Sequence, residues 1–289
     1  MSAATALQIL VNGLLLGGTY VLVAQSLNLI FGVMKVVNLA HGGFVVIAGL
    51  FTFWAVNHLG LQPLIALPIV FVGGAILGGL LEPFIIEPLM GKGRQSELLS
   101  LIVTFGLNYV LTQIALVSFG TDYMSVPFLQ RTFNVGGVIV SAALLLTAAF
   151  AVAITLLLYF GLKYTYIGKS LLAASQSTIG AQSCGIDVGR VRAVAFALGV
   201  ALAAVAGALL IMVQPMSASS SDSLTILAFV VIALGGLGSY RGATVAAFGL
   251  GVVQAAVGYL LGGNVEAVLP FVLLIAVMVL WPRGIQRSA

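Results

Sequence analysis

Long apolar stretches, separated by charges and turn residues, run along the whole chain. A membrane-spanning helix needs about 20 mostly apolar residues. Lengths of that order occur at 7–33, 42–59, 64–81, 98–119, 137–162, 191–213, 224–261 and 268–281. The stretch 224–261 is long enough for two spans if the chain turns at 235–242. The pattern predicts one all-α integral membrane domain over 1–289, a polytopic bundle of about nine transmembrane helices, or eight.

Composition supports the membrane interpretation. Of the 289 residues, 61% are hydrophobic and 6% are charged, and the mean hydropathy is +1.22. Soluble domains carry about 25% charged residues. A water-facing surface cannot be built from so few charges, whereas a lipid-facing surface can.

The basic residues predict the orientation. With the N-terminus outside and each span crossing once, ten basic residues fall on the cytoplasmic side, where loops of membrane proteins retain Lys and Arg. These are Lys35, Lys92, Arg94, Lys163, Lys169, Arg190, Arg192, Arg241, Arg283 and Arg287, and only Arg131 lies outside. The net charge of +4 is scattered over the loops, which argues against nucleic-acid binding. Nine spans are favoured, but 224–235 is short for a crossing, and 34–40 is apolar enough for a broken helix within the membrane.

Glycines recur at four-residue spacing inside the predicted spans. The pairs are Gly13 and Gly17, Gly74 and Gly78, and Gly258 and Gly262. Small residues at this spacing let helix backbones approach closely in lipid. We expect a compact helical bundle.

The acidic residues argue against an ion-driven carrier. Proton-coupled carriers usually bury a carboxylate inside the membrane. All seven acidic residues map to loops or span ends, namely Glu82, Glu87, Glu97, Asp122, Asp187, Asp222 and Glu266.

Enzyme and cofactor sites are not indicated. Gly168-Lys169-Ser170 resembles the end of a phosphate-binding loop, but Lys163 stands where that motif needs glycine, so any ATP is hydrolysed by another chain. His41 and His58 lack partners at metal-ligand spacing, and Cys184 is the single cysteine. No nucleophile and base are paired, and we predict no catalytic residue, metal or cofactor.

The loop 163–192 is the longest polar segment and is predicted to be cytoplasmic. Residues 170–184 have a helical composition, and Gly185 stands where a helix C-cap is expected. Such a helix is either an ordinary surface helix or a docking helix that enters a groove of a partner.

Polar residues also occur among glycines at 28–43, near membrane depth. Asn28, Asn38 and His41 need hydrogen-bond partners there, and irregular backbone is tolerated only when it is buried in protein or lines a water-filled cavity. Transporters often build their pathways from broken helices. The alternative is that these side chains only tie neighbouring helices together. With Asn108, they are the predicted pathway residues.

Taken together, these segments resemble the permease subunits of branched-chain amino acid ABC importers, a family with two different permeases per transporter. The resemblance covers nearly the whole chain. The matching motifs are Gly18-Thr19-Tyr20, 28–33, 38–42, Gly168-Lys169, Ala173, Gln176, Gly185-Ile186, 235–243 and Pro282-Arg283-Gly284. Sugar permeases of the ribose type are more distantly similar. Two positions depart from the family pattern, Leu172 (usually Arg) and Ser177 (usually acidic).

The resemblance implies an importer in a bacterial inner membrane, surrounded by lipid. Its expected partners are a second homologous permease, two ATP-binding cassette ATPases and an extracytoplasmic substrate-binding protein. The residues expected to couple to the ATPases are Gly168, Lys169, Ala173, Ala174, Gln176, Gly185 and Ile186. The expected substrates are branched-chain amino acids or similar small polar nutrients. Urea, short amides and aromatic or heterocyclic nutrients stay open, as do a self-sufficient carrier or channel and a membrane-embedded enzyme.

Overall fold

The structure is a computed structural model that describes residues 3–89 and 94–280. Its elements are α1 (Ala3–Met34), α2 (His41–Leu59), α3 (Pro63–Leu81), α4 (Arg94–Phe119), β1 (Thr132–Val135), β2 (Val138–Ser141), α5 (Ala142–Tyr164), α6 (Tyr166–Gln176), α7 (Thr178–Ser183), α8 (Val188–Leu210), α9 (Ser221–Gly235), α10 (Tyr240–Leu261) and α11 (Gly263–Leu280). Lys92, Arg287 and the predicted ending Pro282-Arg283-Gly284 lie outside the described residues.

The predicted all-α membrane bundle is confirmed. Within the described ranges, eight helical segments are long and apolar enough to cross a membrane, and α11 contains a shorter apolar stretch, Val265–Val277. The long stretch 224–261 divides as predicted, because α9 ends at Gly235 and α10 begins at Tyr240. A ninth crossing by α11 stays a prediction.

Helix α8 lies at the centre of the bundle, in contact with α1, α2 and α3, and α1 packs along α10. Two predicted glycine pairs make these contacts close. A Cβ on Gly13 would lie 2.5 Å from the Cα of Val252, and one on Gly74 would lie 2.9 Å from the Cα of Ala201. The third pair is different: Gly258 contacts the side chain of Glu266, and Gly262 ends α10.

Two predicted boundaries change. Residues 137–141 were expected to be helical, but they form the end of a β-hairpin in which β1 and β2 are antiparallel. Gly136 and Gly137 have φ of 61° and 87°, the turn conformation that glycine adopts readily, and the β-branched run 138–140 favours a strand. The α-helix of the third span ends at Leu81 as predicted, but a π turn and a 3-10 turn continue it to Leu89.

The ends of α5 distinguish the two sides of the bundle. The hairpin that follows Arg131 precedes α5, and Gln8 near the start of α1 bonds to the backbone of Ile139 in that hairpin. Lys163 and Lys169 lie at the other end, where α6 follows α5 and contacts α1. This arrangement agrees with the orientation that the basic residues predict.

Candidate substrate pathway and coupling surface

Helix α2 begins beside the middle of α1 and not beside its end. The Nε2 atom of His41, the first residue of α2, lies 3.0 Å from the carbonyl oxygen of Val23 and 3.2 Å from the Oγ of Ser26. Val23 precedes Met34, the last residue of α1, by 11 residues, which corresponds to about 16 Å along a helix. Residues 35–40 therefore fold back along α1, so the predicted broken helix is present.

Side chains from α4 and from the bend itself hold this re-entrant segment. Lys35 adopts a left-handed conformation, φ 55°, where α1 ends. The Leu39 amide donates to the Thr104 hydroxyl at 3.1 Å, and that hydroxyl lies 3.2 Å from the carbonyl oxygen of Val37. The amide of Ala40 donates to the Asn38 side chain at 3.1 Å. The backbone groups freed by the break thus find partners within the protein.

The start of α9 meets the start of α2. The amide of Gly42 donates to the Thr225 hydroxyl at 2.8 Å. A Cβ on Gly42 would overlap the carbonyl oxygen of Ser221, so the two first turns are in direct backbone contact. Helix N-termini carry a partial positive charge. Two such ends therefore meet at one place inside the bundle.

Helix α4 completes the site with its middle residues. The amide nitrogen of Asn108 donates to the carboxylate of Asp222 at 2.9 Å, and the hydroxyls of Thr112 and Ser221 lie 2.8 Å apart. We call the group Asn38, His41, Gly42, Asn108, Ser221, Asp222 and Thr225 the polar junction. Asp222 is exposed on one side of it, and the other members are buried.

Asp222 corrects one expectation from the sequence. It occupies the first turn of α9, as its assignment to a span end implies, yet that turn lies beside the middle of α4. A carboxylate is therefore present at the depth of the broken helices. The argument against an ion-driven carrier from a missing carboxylate no longer holds, and the function must be decided on other grounds.

Three of the four predicted pathway residues meet at the polar junction. Asn38, His41 and Asn108 are at most 6% exposed. Each has one buried atom without a hydrogen bond in the described structure, namely Asn38 Nδ2, His41 Nδ1 and Asn108 Oδ1. Asn28 lies elsewhere: its Oδ1 accepts from the Gly238 amide at 2.9 Å and ties α1 to the turn before α10. That contact fits a supporting role.

Sequence reasoning missed Ser221, Asp222 and Thr225. Ser221 and Asp222 belong to a largely polar run, 217–223, that leads into an apolar stretch, and Thr225 follows that run by two residues. Such a run is an N-terminal helix signature, but it does not reveal which other segments the helix start will contact.

The loop 163–192 contains two short helices where one was predicted over 170–184. The first, α6, begins earlier, because the hydroxyl of Thr165 accepts from the Gly168 amide at 3.0 Å. The second, α7, begins after Ser177, whose hydroxyl accepts from the Gly180 amide at 3.0 Å. Serine side chains compete for backbone hydrogen bonds in this way and favour helix starts. The break at Ser177 follows from that bond.

The predicted cap at Gly185 is present. Gly185 has φ 78°, its amide donates to Gln182, and the amide of Ile186 donates to Ala181 at 3.0 Å. These bonds satisfy carbonyls at the end of α7.

The predicted coupling residues differ in how exposed they are. Gly168 is buried where α6 packs on Gly161 and Leu162, and Ala174 is buried as well. Lys169 and Gln176 are exposed, and Ala173 is half-buried. Ile179 was not singled out from the sequence, yet its side chain is 78% exposed. The exposed surface of α6 and α7 therefore presents apolar side chains, Ile167 and Ile179 among them, beside polar groups.

Comparison with known proteins identifies the family. The family described as the permease component of branched-chain amino acid transport systems matches residues 9–278. BraD of Pseudomonas aeruginosa, a high-affinity branched-chain amino acid transport system permease protein, is 29% identical over 96% of this chain and 95% of its own length. The corresponding protein LivH of Escherichia coli is 28% identical over 96% of this chain and 94% of its own. A probable permease LivH of Methanocaldococcus jannaschii is 27% identical over 96% and 91%.

A solved structure supports the fold. PsaBC from Streptococcus pneumoniae, determined in complex with Fab, superposes with a TM-score of 0.52 over 95% of this chain and 92% of that chain, at 17% identity. The match extends over the whole bundle and shows the fold alone. With the family match over most of the chain, it follows that this protein belongs to the family of branched-chain amino acid transport permeases and is a multi-pass membrane subunit of an ABC importer, not an enzyme.

Proposed function

We propose that this permease translocates branched-chain amino acids, or similar small amino acids, through a path that passes the polar junction. The observation that carries the proposal is the contact between Asn108 and Asp222 at the meeting point of two helix starts. The names of the relatives support the substrate class.

The polar junction suits a zwitterion. The exposed carboxylate of Asp222 can accept hydrogen bonds from a substrate ammonium group, and the positive end of α9 favours a substrate carboxylate. Asn108 is 6% exposed, and its Oδ1 has no hydrogen bond in the described structure. That oxygen lies beside Gly43, at the start of α2. The amide thus reaches the first turns of both α2 and α9. Within the junction, Asn38 and His41 are buried, hold the bend in place and support the path.

The exposure of Asp222 indicates one partner, and the family indicates the others. A carboxylate facing lipid is costly, so this side of the permease faces protein and water. A second homologous permease subunit supplies the other wall of the path. An extracytoplasmic binding protein delivers the substrate. Two ATPase subunits dock on the two permeases, one of them on α6 and α7 of this chain, where Ile179 enters its groove.

The test is transport by the whole complex in proteoliposomes, with its binding protein present. Replacing Asp222 with Asn keeps the side-chain size and removes the charge. Hydrogen bonds to charged groups contribute roughly 1.5–3 kcal/mol, so we expect leucine uptake to fall about tenfold or more. The matched control is Asp122→Asn, because Asp122 is an exposed carboxylate in the loop before the hairpin.

The outcomes separate the alternatives. Normal leucine uptake by the Asp222→Asn variant would contradict the role of the polar junction. Uptake of urea by the wild-type complex, unchanged by the same substitution, would favour the urea and short-amide alternative, since a neutral substrate has no ammonium group to pair. Leucine uptake by the permease without ATPases would support a self-sufficient carrier.

A further inference from the structure

A groove runs between α5 and α10, and its lining residues come from α1, α5 and α10 and not from α2, α4 or α9. Its volume is about 360 Å³, and α1 forms its floor. Most of its lining is apolar, with side chains from Val21, Val152, Leu156, Leu158, Val245 and Phe248. A second groove of about 380 Å³ shares Tyr159, Tyr240 and Arg241 with it and extends to Lys163. Together they form one channel that opens toward the cytoplasmic end of α5.

Two cations stand at the cytoplasmic part of this channel. Arg241 is exposed in the first turn of α10, and its guanidinium donates to the Tyr159 hydroxyl at 3.4 Å. Lys163, near the end of α5, lies 5.3 Å from the centre of the Tyr164 ring. Among the described residues, the only ion pair joins Arg190 and Asp187, so neither cation has a carboxylate partner within the described protein.

Arg241 lies unusually deep in the bundle for a cation without a carboxylate partner among the described residues. The Gln25 amide donates to the carbonyl oxygen of Tyr240 at 2.6 Å and to the Thr244 hydroxyl at 2.8 Å. Gln25 precedes the last residue of α1, Met34, by 9 residues, which is about 13 Å along the helix. The backbone of Arg241 therefore lies deeper in the bundle than the cytoplasmic end of α1. Its side chain reaches Tyr159 on α5.

Two cations lie at the cytoplasmic end of an apolar groove. This arrangement complements a phospholipid, which has a charged headgroup and apolar acyl chains. Basic residues near the cytoplasmic surface attract anionic lipid headgroups, and basic pockets between helices bind them. The groove walls are also open outward, since the lining residues Leu156 and Val245 are 51% and 71% exposed. Such apolar exposure fits a wall that faces lipid chains.

We propose that this channel binds one anionic phospholipid of the cytoplasmic leaflet. Its phosphate lies between Arg241 and Lys163, and one acyl chain occupies the apolar groove between α5 and α10. Bound lipid supplies the negative partner that both cations lack within the described protein, and it fills the space between two helices that both pack on α1.

The test uses the whole transporter in nanodiscs that contain phosphatidylglycerol with a photoactivatable acyl chain. We expect cross-links to α5 and α10 within the groove, located by mass spectrometry, and few cross-links from a matched phosphatidylcholine probe. Arg241→Gln should lower the cross-linking about fivefold, since one basic residue near the membrane surface contributes ~1 kcal/mol. Arg241→Gln combined with Lys163→Gln should lower it further.

The control is Lys169→Gln, because Lys169 is an exposed cation on the same side that does not line the channel. Equal labelling by the two lipids, or equal loss in the Lys169 variant, would overturn the proposal. A second arm adds glycerol phosphate, which should not compete; competition would indicate a site for free phosphate. Absence of groove cross-links in the complex, with protein cross-links from Val245 to another subunit, would show a protein interface instead.

Discussion

The polar junction and the α6–α7 loop both interrupt helices with short polar residues, but they use those residues in opposite ways. In the loop, Thr165 and Ser177 accept hydrogen bonds from amides three residues ahead. In the junction, Thr225 bonds to Gly42, and Asn108 bonds to Asp222, more than a hundred residues away. The loop is thus defined by local bonds, and the junction by bonds between distant segments.

The glycines of the two regions also differ in whether they contact a distant segment or a nearby residue. A Cβ on Gly42 would overlap the carbonyl oxygen of Ser221 and come within 2.9 Å of its carbonyl carbon. A Cβ on Gly180 would meet only the side chain of Ser177, at 3.2 Å. Backbone cannot move aside as a side chain can. The junction therefore tolerates little change in volume, whereas the loop has room for an added methyl group at Gly180.

The largest effect should come from Gly42→Ala in the junction, with Gly180→Ala as the matched substitution in the loop. Forcing an extra methyl group into close packing costs about 1–3 kcal/mol, and here the neighbour is backbone. We expect the Gly42 variant to lose thermal stability or to fail to assemble, as measured by size-exclusion chromatography and thermal unfolding in detergent. The Gly180 variant should behave as wild type. Equal thermal stability of the two variants would contradict the claim that the junction is more tightly packed than the loop.

A second prediction tests the exposed surface of the loop. Ile179→Asp places a charge where we expect an apolar anchor to enter an ATPase groove. Interface anchors contribute ~2 kcal/mol or more, so ATPase affinity and substrate-stimulated ATP hydrolysis should fall about tenfold or more while the permease stays folded. The control is Ile139→Asp, since Ile139 is 56% exposed on the hairpin at the opposite end of α5. Unchanged ATP hydrolysis in the Ile179→Asp variant would show that the ATPase docks elsewhere.

The sequence predicted the helices well because their signals are local. Apolar length located the spans, and the glycine run 235–242 located the turn between α9 and α10. The cap at Gly185 was predicted from a single residue, because the left-handed conformation there favours glycine. The hairpin was missed because Val138, Ile139 and Val140 are as apolar as a span, and length alone does not separate a short strand from the start of a helix.

The polar junction was only half predicted, and the reason is the range of its contacts. Asn38 and His41 were found from polar residues among glycines. Asp222 was assigned to a span end, and nothing local shows that this end lies beside the middle of α4. Asn28 shares a motif with Asn38 in the sequence but bonds to Gly238. Bonds between distant segments depend on packing, which the sequence pattern does not give.

The smallest expected effect comes from removing one hydrogen bond between α2 and α9. Thr225 and Thr52 are both buried, and each hydroxyl bonds to the carbonyl four residues earlier, but only Thr225 also accepts from another helix, at the Gly42 amide. Replacing either with Val keeps the shape, so Thr225→Val should cost about 0.6 kcal/mol more than Thr52→Val, the average for hydrogen bonds between membrane helices. Thermal unfolding of both variants measures the difference. Equal losses would mean that the contact between α2 and α9 rests on backbone packing alone.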